Sequence, residues 1–396
     1  MVKKETISAL AAQYHERVRG IRRHLHQHPE LSFEEHKTAG YIAEQLTALN
    51  IPFTTGVAGT GLTAEISGDL PSDKFIALRA DIDALPIQEK NDVPYASANP
   101  GVMHACGHDV HTSSMLGALA ILKDTKSEWG GKIRVLFQPG EELLPGGASL
   151  MIAAGALDNP RPVGIIGQHV FPELPAGKVG FKPGMYMASA DEIYITVHGK
   201  GGHAALPTRF TDPILAASHM VVALQQVVSR KASPELPTVL SFGKMNANGA
   251  NNVIPETVTL EGTLRTFDET WRYEAHKWIE KIATDTCSAS GCTVDVDIRV
   301  GYPFLVNDED MTARAKQFAQ EYLGAENVVD LGLRMTAEDF SYYSQMMPGC
   351  FYRLGTAGKD GSHTSGLHTP TFDIEETALE TSIGLMAWLA INELQS

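Results

Sequence analysis

The sequence predicts an α/β protein: a mixed, mostly parallel sheet flanked by helices, interrupted by an inserted α+β domain of the split βαβ, ferredoxin-like kind. Three observations carry this expectation. Up to about residue 183, short apolar runs alternate with helical patterns, as they do where parallel strands are joined by crossover helices. From Asp191 the order changes to strand, helix, strand, strand, helix, strand. After Gly301-Tyr302-Pro303 helices and a strand resume, so the larger domain is discontinuous. A chain of 396 residues also exceeds what one compact domain usually holds.

The elements follow in order. Residues 75–79 and 132–137 read as buried strands, and 110–123 and 147–154 as helices. Lys182-Pro183-Gly184 is a turn or hinge. The insert then runs through strand 193–197, helix 212–229, strands 238–244 and 257–264, helix 269–288 and strand 293–300. Residues 351–354 form a late strand. These limits give a larger domain over 1–186 and 302–396 and an inserted one over 187–301.

Composition narrows the setting. The formal net charge is −15 with no long basic run, which argues against nucleic acid as a partner. Four cysteines, Cys106, Cys287, Cys292 and Cys350, are too sparse for a disulfide framework and suit a reducing compartment. The amino-terminal segment is charged and unlike a signal peptide, and no apolar run approaches eighteen residues. The expectation is a cytoplasmic protein with no membrane attachment.

The chemistry concentrates in His104-Ala105-Cys106-Gly107-His108-Asp109-Val110-His111. Imidazole, thiolate and carboxylate are the side chains that bind transition metals, and the glycine between Cys106 and His108 permits a tight turn. Alone, this run is equally consistent with a histidine-rich loop holding a buried thiol. About thirty residues later, the strand at 132–137 is stopped by Gln138-Pro139-Gly140 and followed by Glu141 and Glu142. Neighbouring residues point in different directions, so one carboxylate can ligate a metal while the other serves as a general base. His169, near the end of an apolar strand at 163–170, and His368, in a loop before the last helix, extend the donor set. Either histidine alone is more often structural. The insert adds a glycine-rich loop, Gly199 to Pro207, presenting His203, with Asn252 and Arg265 further on. A flexible hairpin and a solvated arginine are the plainer readings of these.

Taken together, His104–Asp109, Gln138–Glu142, Gly201–Pro207, Glu338-Asp339-Phe340, His26–Leu31 and Arg79–Pro86 resemble the aminoacylase/carboxypeptidase-type amidohydrolases. The subgroup is that of the hippurate and auxin-conjugate (indole-acetyl-amino-acid) hydrolases. The similarity runs from His26 to His368. It implies five ligands, Cys106, His108, Glu142, His169 and His368, for two divalent ions per chain (Mn, Zn, Co or Ni), with Cys106 bridging them. It also implies Glu141 as general base and Asp83 as the carboxylate behind a ligand histidine. His203 would stabilise the tetrahedral intermediate in the partner subunit of a homodimer formed through the insert. Asn252 and Arg265 would contact substrate, Arg265 by its bidentate fork. Gln168 departs from the subgroup, which has a small or apolar residue there; the departure should affect packing more than ligation.

The implied reaction is hydrolysis of the amide bond of a small-molecule N-acyl amino acid by a metal-activated water, with Glu141 passing the proton to the leaving amine. A dipeptidase or carboxypeptidase on the same scaffold is the nearest alternative. A cysteine amidase using Cys106 and His108, or a non-catalytic binding module, are more distant ones.

Overall fold

The computed structural model describes residues 2–396 and divides the chain into two compact units. The first runs to Tyr186 and resumes over Val306–Leu333 and Asp339–Ser396; the second comprises Met187–Leu305 and Arg334–Glu338.

The first unit is built on an eight-stranded sheet. Its spatial order is Phe53–Val57, Gly61–Ser67, Gly130–Gln138, Leu70–Asp81, Ile165–Pro175, Gly349–Ala357, Val179–Phe181 and Val328–Asp330. The four central strands, from Gly130–Gln138 to Gly349–Ala357, are mutually parallel. Apart from residues 70–74 and 173–175 at strand ends, their side chains are almost wholly buried on both faces, so these stretches read as continuous apolar runs rather than as alternation. The helix His108–Asp124 is buried at every position from His108 to Leu122 and packs against Lys4–Gln27 and Ala378–Gln395.

Two strands outrun their sequence signals for the same reason. The run expected at 75–79 extends over Leu70–Asp81, and the run expected to end at Val170 continues to Pro175. Both are prolonged by parallel neighbours distant in sequence; the second pairs with Gly349–Ala357 from Ile165↔Gly349 onward. His169 therefore sits in mid-strand, in register with Arg353, instead of near a strand end. Gln168, the residue that departs from the subgroup, joins a buried polar cluster. It accepts from Tyr352 Oη at 2.9 Å and donates to Ser382 Oγ at 2.6 Å.

The second unit is a four-stranded antiparallel sheet in the order Thr238–Ala247, Thr257–Thr266, Asp191–His198, Thr293–Val300. Helices Pro213–Leu224 and Glu269–Ala289 pack on it through Met220, Leu224, Ala275 and Ile279, which meet Ile193, Ile195 and Val197 on alternate strand positions. The first helix is shorter than the expected 212–229, giving way after Leu224 to a wider turn over Val227–Lys231. Inside this unit the buried Asp191 carboxylate receives Arg272 Nε at 3.0 Å and His276 Nε2 at 2.6 Å. Among the described residues, no helix is long and apolar enough to cross a membrane.

Candidate metal centre

The centre forms where two neighbouring parallel strands end. Leu70–Asp81 leads into Asp83, Gly130–Gln138 leads into Glu141 and Glu142, and Ile82 N donates to Gln138 O across the exit at 3.0 Å. The carboxyl edge of such a sheet is where α/β folds place their ligands. The run Cys106-Gly107-His108 arrives there as the turn that starts the His108–Asp124 helix. Gly107 has φ +79°, and a Cβ on it would fall 2.5 Å from Cγ2 of Val170. Only glycine lets this turn lie so close to the strand that carries His169.

All five residues expected as ligands converge. Donor atoms of Cys106, His108 and His169 lie within 4.8 Å of one another, and so do those of Cys106, Glu142 and His368. The two triads share only the Cys106 sulfur. Sγ of Cys106 is 3.5 Å from Nε2 of His169, and Nε2 of His368 is 3.2 Å from Oε1 of Glu142. Glu141 stands beside them, grouped with His108 and Glu142.

Hydrogen bonds fix the tautomers of the two buried rings. Nδ1 of His169 lies 2.8 Å from Val170 O, and a carbonyl can only accept, so this nitrogen carries the proton. Nδ1 of His108 faces Oδ1 of Asp83 at 3.1 Å. In both rings Nε2 thereby faces the cluster, and on His108 it gives up its proton when a metal binds. Nε2 of His108 is buried and makes no hydrogen bond. His111 is different. Its Nε2 accepts from Val170 N at 2.9 Å and its Nδ1 donates to Asp81, so both nitrogens are committed and it stays out of the ligand set. His104, the first histidine of the run, is a neutral buried ring whose pKa burial pushes down to about 4.

The electrostatics suit a cation. Burial, then Glu142, Glu141 and Asp81, push the Cys106 thiol well above its ordinary range. Burial disfavours protonation of His108, but Asp81, Asp83 and Glu142 outweigh it and raise the ring to about 10. A thiol, imidazoles and carboxylates crowded together, buried except on the side of the exposed His368, form a set whose negative charge a divalent ion neutralises, and these donors fit borderline transition ions.

Sequence reasoning gave no role to the layer beneath the centre, although His26, Arg79 and Asp339 fall within its motifs. Arg22, fully buried on the first helix, donates to Asp109 at 2.7 Å and to Asp373 at 2.7 Å. His26 lies between Asp109 at 2.8 Å and Glu89 at 3.1 Å. Buried Arg79 is bound to Asp81, Gln138 and Asp339. A charged residue inside an apolar strand or helix was the available signal, since such groups are buried only when paired.

The remaining residues expected at the site belong to the second unit. His203 lies on the short strand Gly202–His203, paired with Val253–Ile254, and Ala204 N donates to Asn252 O at 3.0 Å, so His203 and Asn252 are neighbours. Arg265 is half-buried on Thr257–Thr266, with Nε 3.1 Å from Thr263 Oγ1. It stands eight residues along that strand from Thr257, about 26 Å at the usual rise, away from the His203–Asn252 pair.

Comparison with known proteins agrees with the geometry. The chain is 43% identical over 360 residues to the N-acetyl-L-cysteine deacetylase of Bacillus subtilis, covering 91% of this chain and 84% of the relative. It is 39% identical over 380 residues to IAA-amino acid hydrolase ILR1-like 4 of Arabidopsis thaliana, covering 95% and 85%. A crystal structure from Bacillus subtilis, described as a dinuclear metal-binding peptidase of the M20 family, superposes with a TM-score of 0.83 at 34% identity, covering 97% of this chain and 99% of that one. The model of peptidase family M20/M25/M40 matches residues 77–392. The chain belongs to this family and is a metal-dependent hydrolase acting on amide bonds.

Proposed function

We propose that this protein hydrolyses N-acyl amino acids to a carboxylic acid and a free amino acid, using two divalent ions per chain. The observation that carries the reading is the pair of ligand triads sharing the Cys106 sulfur, with the Glu141 carboxylate beside them. Cys106, His108 and His169 would hold one ion; Cys106, Glu142 and His368 would hold the other. When bound, the ions supply Lewis acidity, polarising the scissile carbonyl and acidifying water.

The protein's own groups do the rest. Glu141 takes the proton from the attacking water onto its carboxylate and returns it to the amine nitrogen as the C–N bond breaks. Asp83 keeps the His108 ring turned so that Nε2 faces inward. His203 donates its ring N–H to the developing oxyanion of the partner subunit's site, in a homodimer formed through the second unit. Asn252 and Arg265 lie too far apart along the second unit to bind one small substrate from the same subunit; in the homodimer they would contact it from opposite subunits, Arg265 by a bidentate contact to its carboxylate. The names of the deacetylase and the IAA-amino acid hydrolase support an N-acyl amino acid substrate. Four free, buried cysteines support a reducing, cytoplasmic setting.

The test is a panel of N-acetyl, N-benzoyl and indole-acetyl amino acids, with dipeptides alongside, assayed on protein reconstituted with Mn, Zn, Co or Ni. Turnover of the N-acyl compounds is expected, with about two ions per chain by elemental analysis and reversible loss of activity on chelation. Cleavage of dipeptides alone would replace the reading with a dipeptidase. Full activity in metal-free protein would overturn the mechanism.

A further inference from the structure

Beneath the centre, one buried guanidinium reaches toward both halves of the machinery. Arg79, on the Leu70–Asp81 strand, is 1% exposed. Its Nη1 donates to Asp81 Oδ2 at 2.6 Å, its Nη2 to Asp339 Oδ1 at 2.7 Å and its Nε to Gln138 Oε1 at 2.9 Å. Each of these partners leads to the site. Asp81 receives Nδ1 of His111, whose Nε2 in turn accepts the backbone N–H of Val170, next to His169. Gln138 ends its strand three residues before Glu141 and donates Nε2 to both oxygens of Asp339, at 2.9 and 2.8 Å. The Asp339 backbone N–H is 3.4 Å from Glu141 Oε1, and its carboxylate also accepts Ala148 N at 2.9 Å.

We propose that Arg79 is the positioning residue that sets the Glu141 carboxylate against the ligand histidines. This rests on the reading of Glu141 as the general base. The planar guanidinium fork fixes three acceptors in one plane at defined angles, and an ammonium cannot reproduce that geometry. Asp339 and Gln138 are thus held on one side and Asp81 on the other. The carboxylate that must meet the attacking water is referred to the same rigid group as the strand bearing His169. A proton acceptor displaced by even a fraction of an ångström loses rate without losing substrate, because its contribution arises in the transition state.

The experiment is a double-mutant cycle on metal-reconstituted enzyme with the best N-acyl amino acid of the panel. Arg79→Lys should lower kcat by about 10–100-fold, leave KM within about twofold and leave two ions bound per chain. Glu141→Gln should lower kcat by about 10²–10⁴-fold. If Arg79 acts through Glu141, adding Arg79→Lys to Glu141→Gln costs nothing further. Asp339→Asn, nearly isosteric, guards against misfolding of the arginine variant and should show the same kcat loss and the same non-additivity. Wild-type kcat in Arg79→Lys overturns the inference, as does a full Arg79 penalty persisting in the Glu141→Gln background. Wild-type kcat in Glu141→Gln would instead overturn the assignment of the base, and this inference with it.

Discussion

The carboxylate of Asp83 grips Nδ1 of His108 at 3.1 Å with one oxygen, while its other accepts the Glu142 backbone N–H at 3.0 Å and the Ser32 hydroxyl at 2.7 Å. One side chain therefore aligns a member of each triad. Burial opposes ionisation of Asp83, yet His108, the Glu142 amide and Ser32 hold its pKa below the usual carboxylate range. Asp83→Asn should weaken metal retention by about 10–100-fold, read by chelator competition. Unchanged affinity would mean that the ring is oriented by packing alone.

Glu141 and Glu142 are adjacent in sequence but should fail differently. Glu141→Ala should keep close to the wild-type metal content while kcat falls by about 10²–10⁴-fold. Glu142→Ala, which removes the carboxylate 3.2 Å from His368 Nε2, should lose at least one ion. Elemental analysis beside kinetics separates the two, and the opposite pattern would exchange their roles.

Gly107→Ala joins backbone strain at φ +79° to a collision with Val170. The two effects together should destabilise by about 2–4 kcal/mol. Metal affinity should fall with stability, because the turn carrying Cys106 is pushed from the strand carrying His169. Thermal melts with and without added metal measure both, and a wild-type melting profile would show that the turn can move freely.

Asp191 sets an acid limit on the second unit. Burial raises its pKa, but His276 and Arg272 outweigh burial and depress it. A depressed carboxylate contributes stability that is complete above its unfolded pKa of about 3.9 and is lost as pH falls through its folded value. Wild-type protein should lose stability below about pH 4. Asp191→Asn should be weaker by about 3–5 kcal/mol at pH 7, with a flatter decline in acid. Denaturant titrations at pH 7 and pH 3.5 provide the comparison.

Subunit mixing tests the placement of His203. In the proposed homodimer, Glu141→Ala and His203→Ala should each be nearly inactive. After exchange about half the dimers are mixed, and each of these has one intact site, so activity should recover to roughly a quarter of wild type. Exchange verified by mass spectrometry without recovery would assign His203 to its own chain or to no site.

Much of the centre was legible because its residues are short-range. Cys106, His108, Glu141 and Glu142 occur in two dense runs, each beside a glycine that breaks an element. His169 and His368 were visible as residues but not as neighbours, since strand pairing between Ile165–Pro175 and Gly349–Ala357 joins segments far apart in the chain. The support layer was least legible. Arg22 meets Asp373 and Arg79 meets Asp339 across 351 and 260 residues, and no local periodicity records such a pairing. Sequence shows that a charge sits in an apolar stretch; only the fold shows what neutralises it.

The fifth proposed ligand joins the centre across a long stretch of chain. His368 docks through its backbone N–H on Ala105 O at 2.9 Å, although the whole second unit lies between them in the chain. During synthesis the proposed fifth donor can therefore arrive only after the second unit has been made. A stalled or truncated product lacking that segment carries Cys106, His108, Glu142 and His169 but never the complete proposed set.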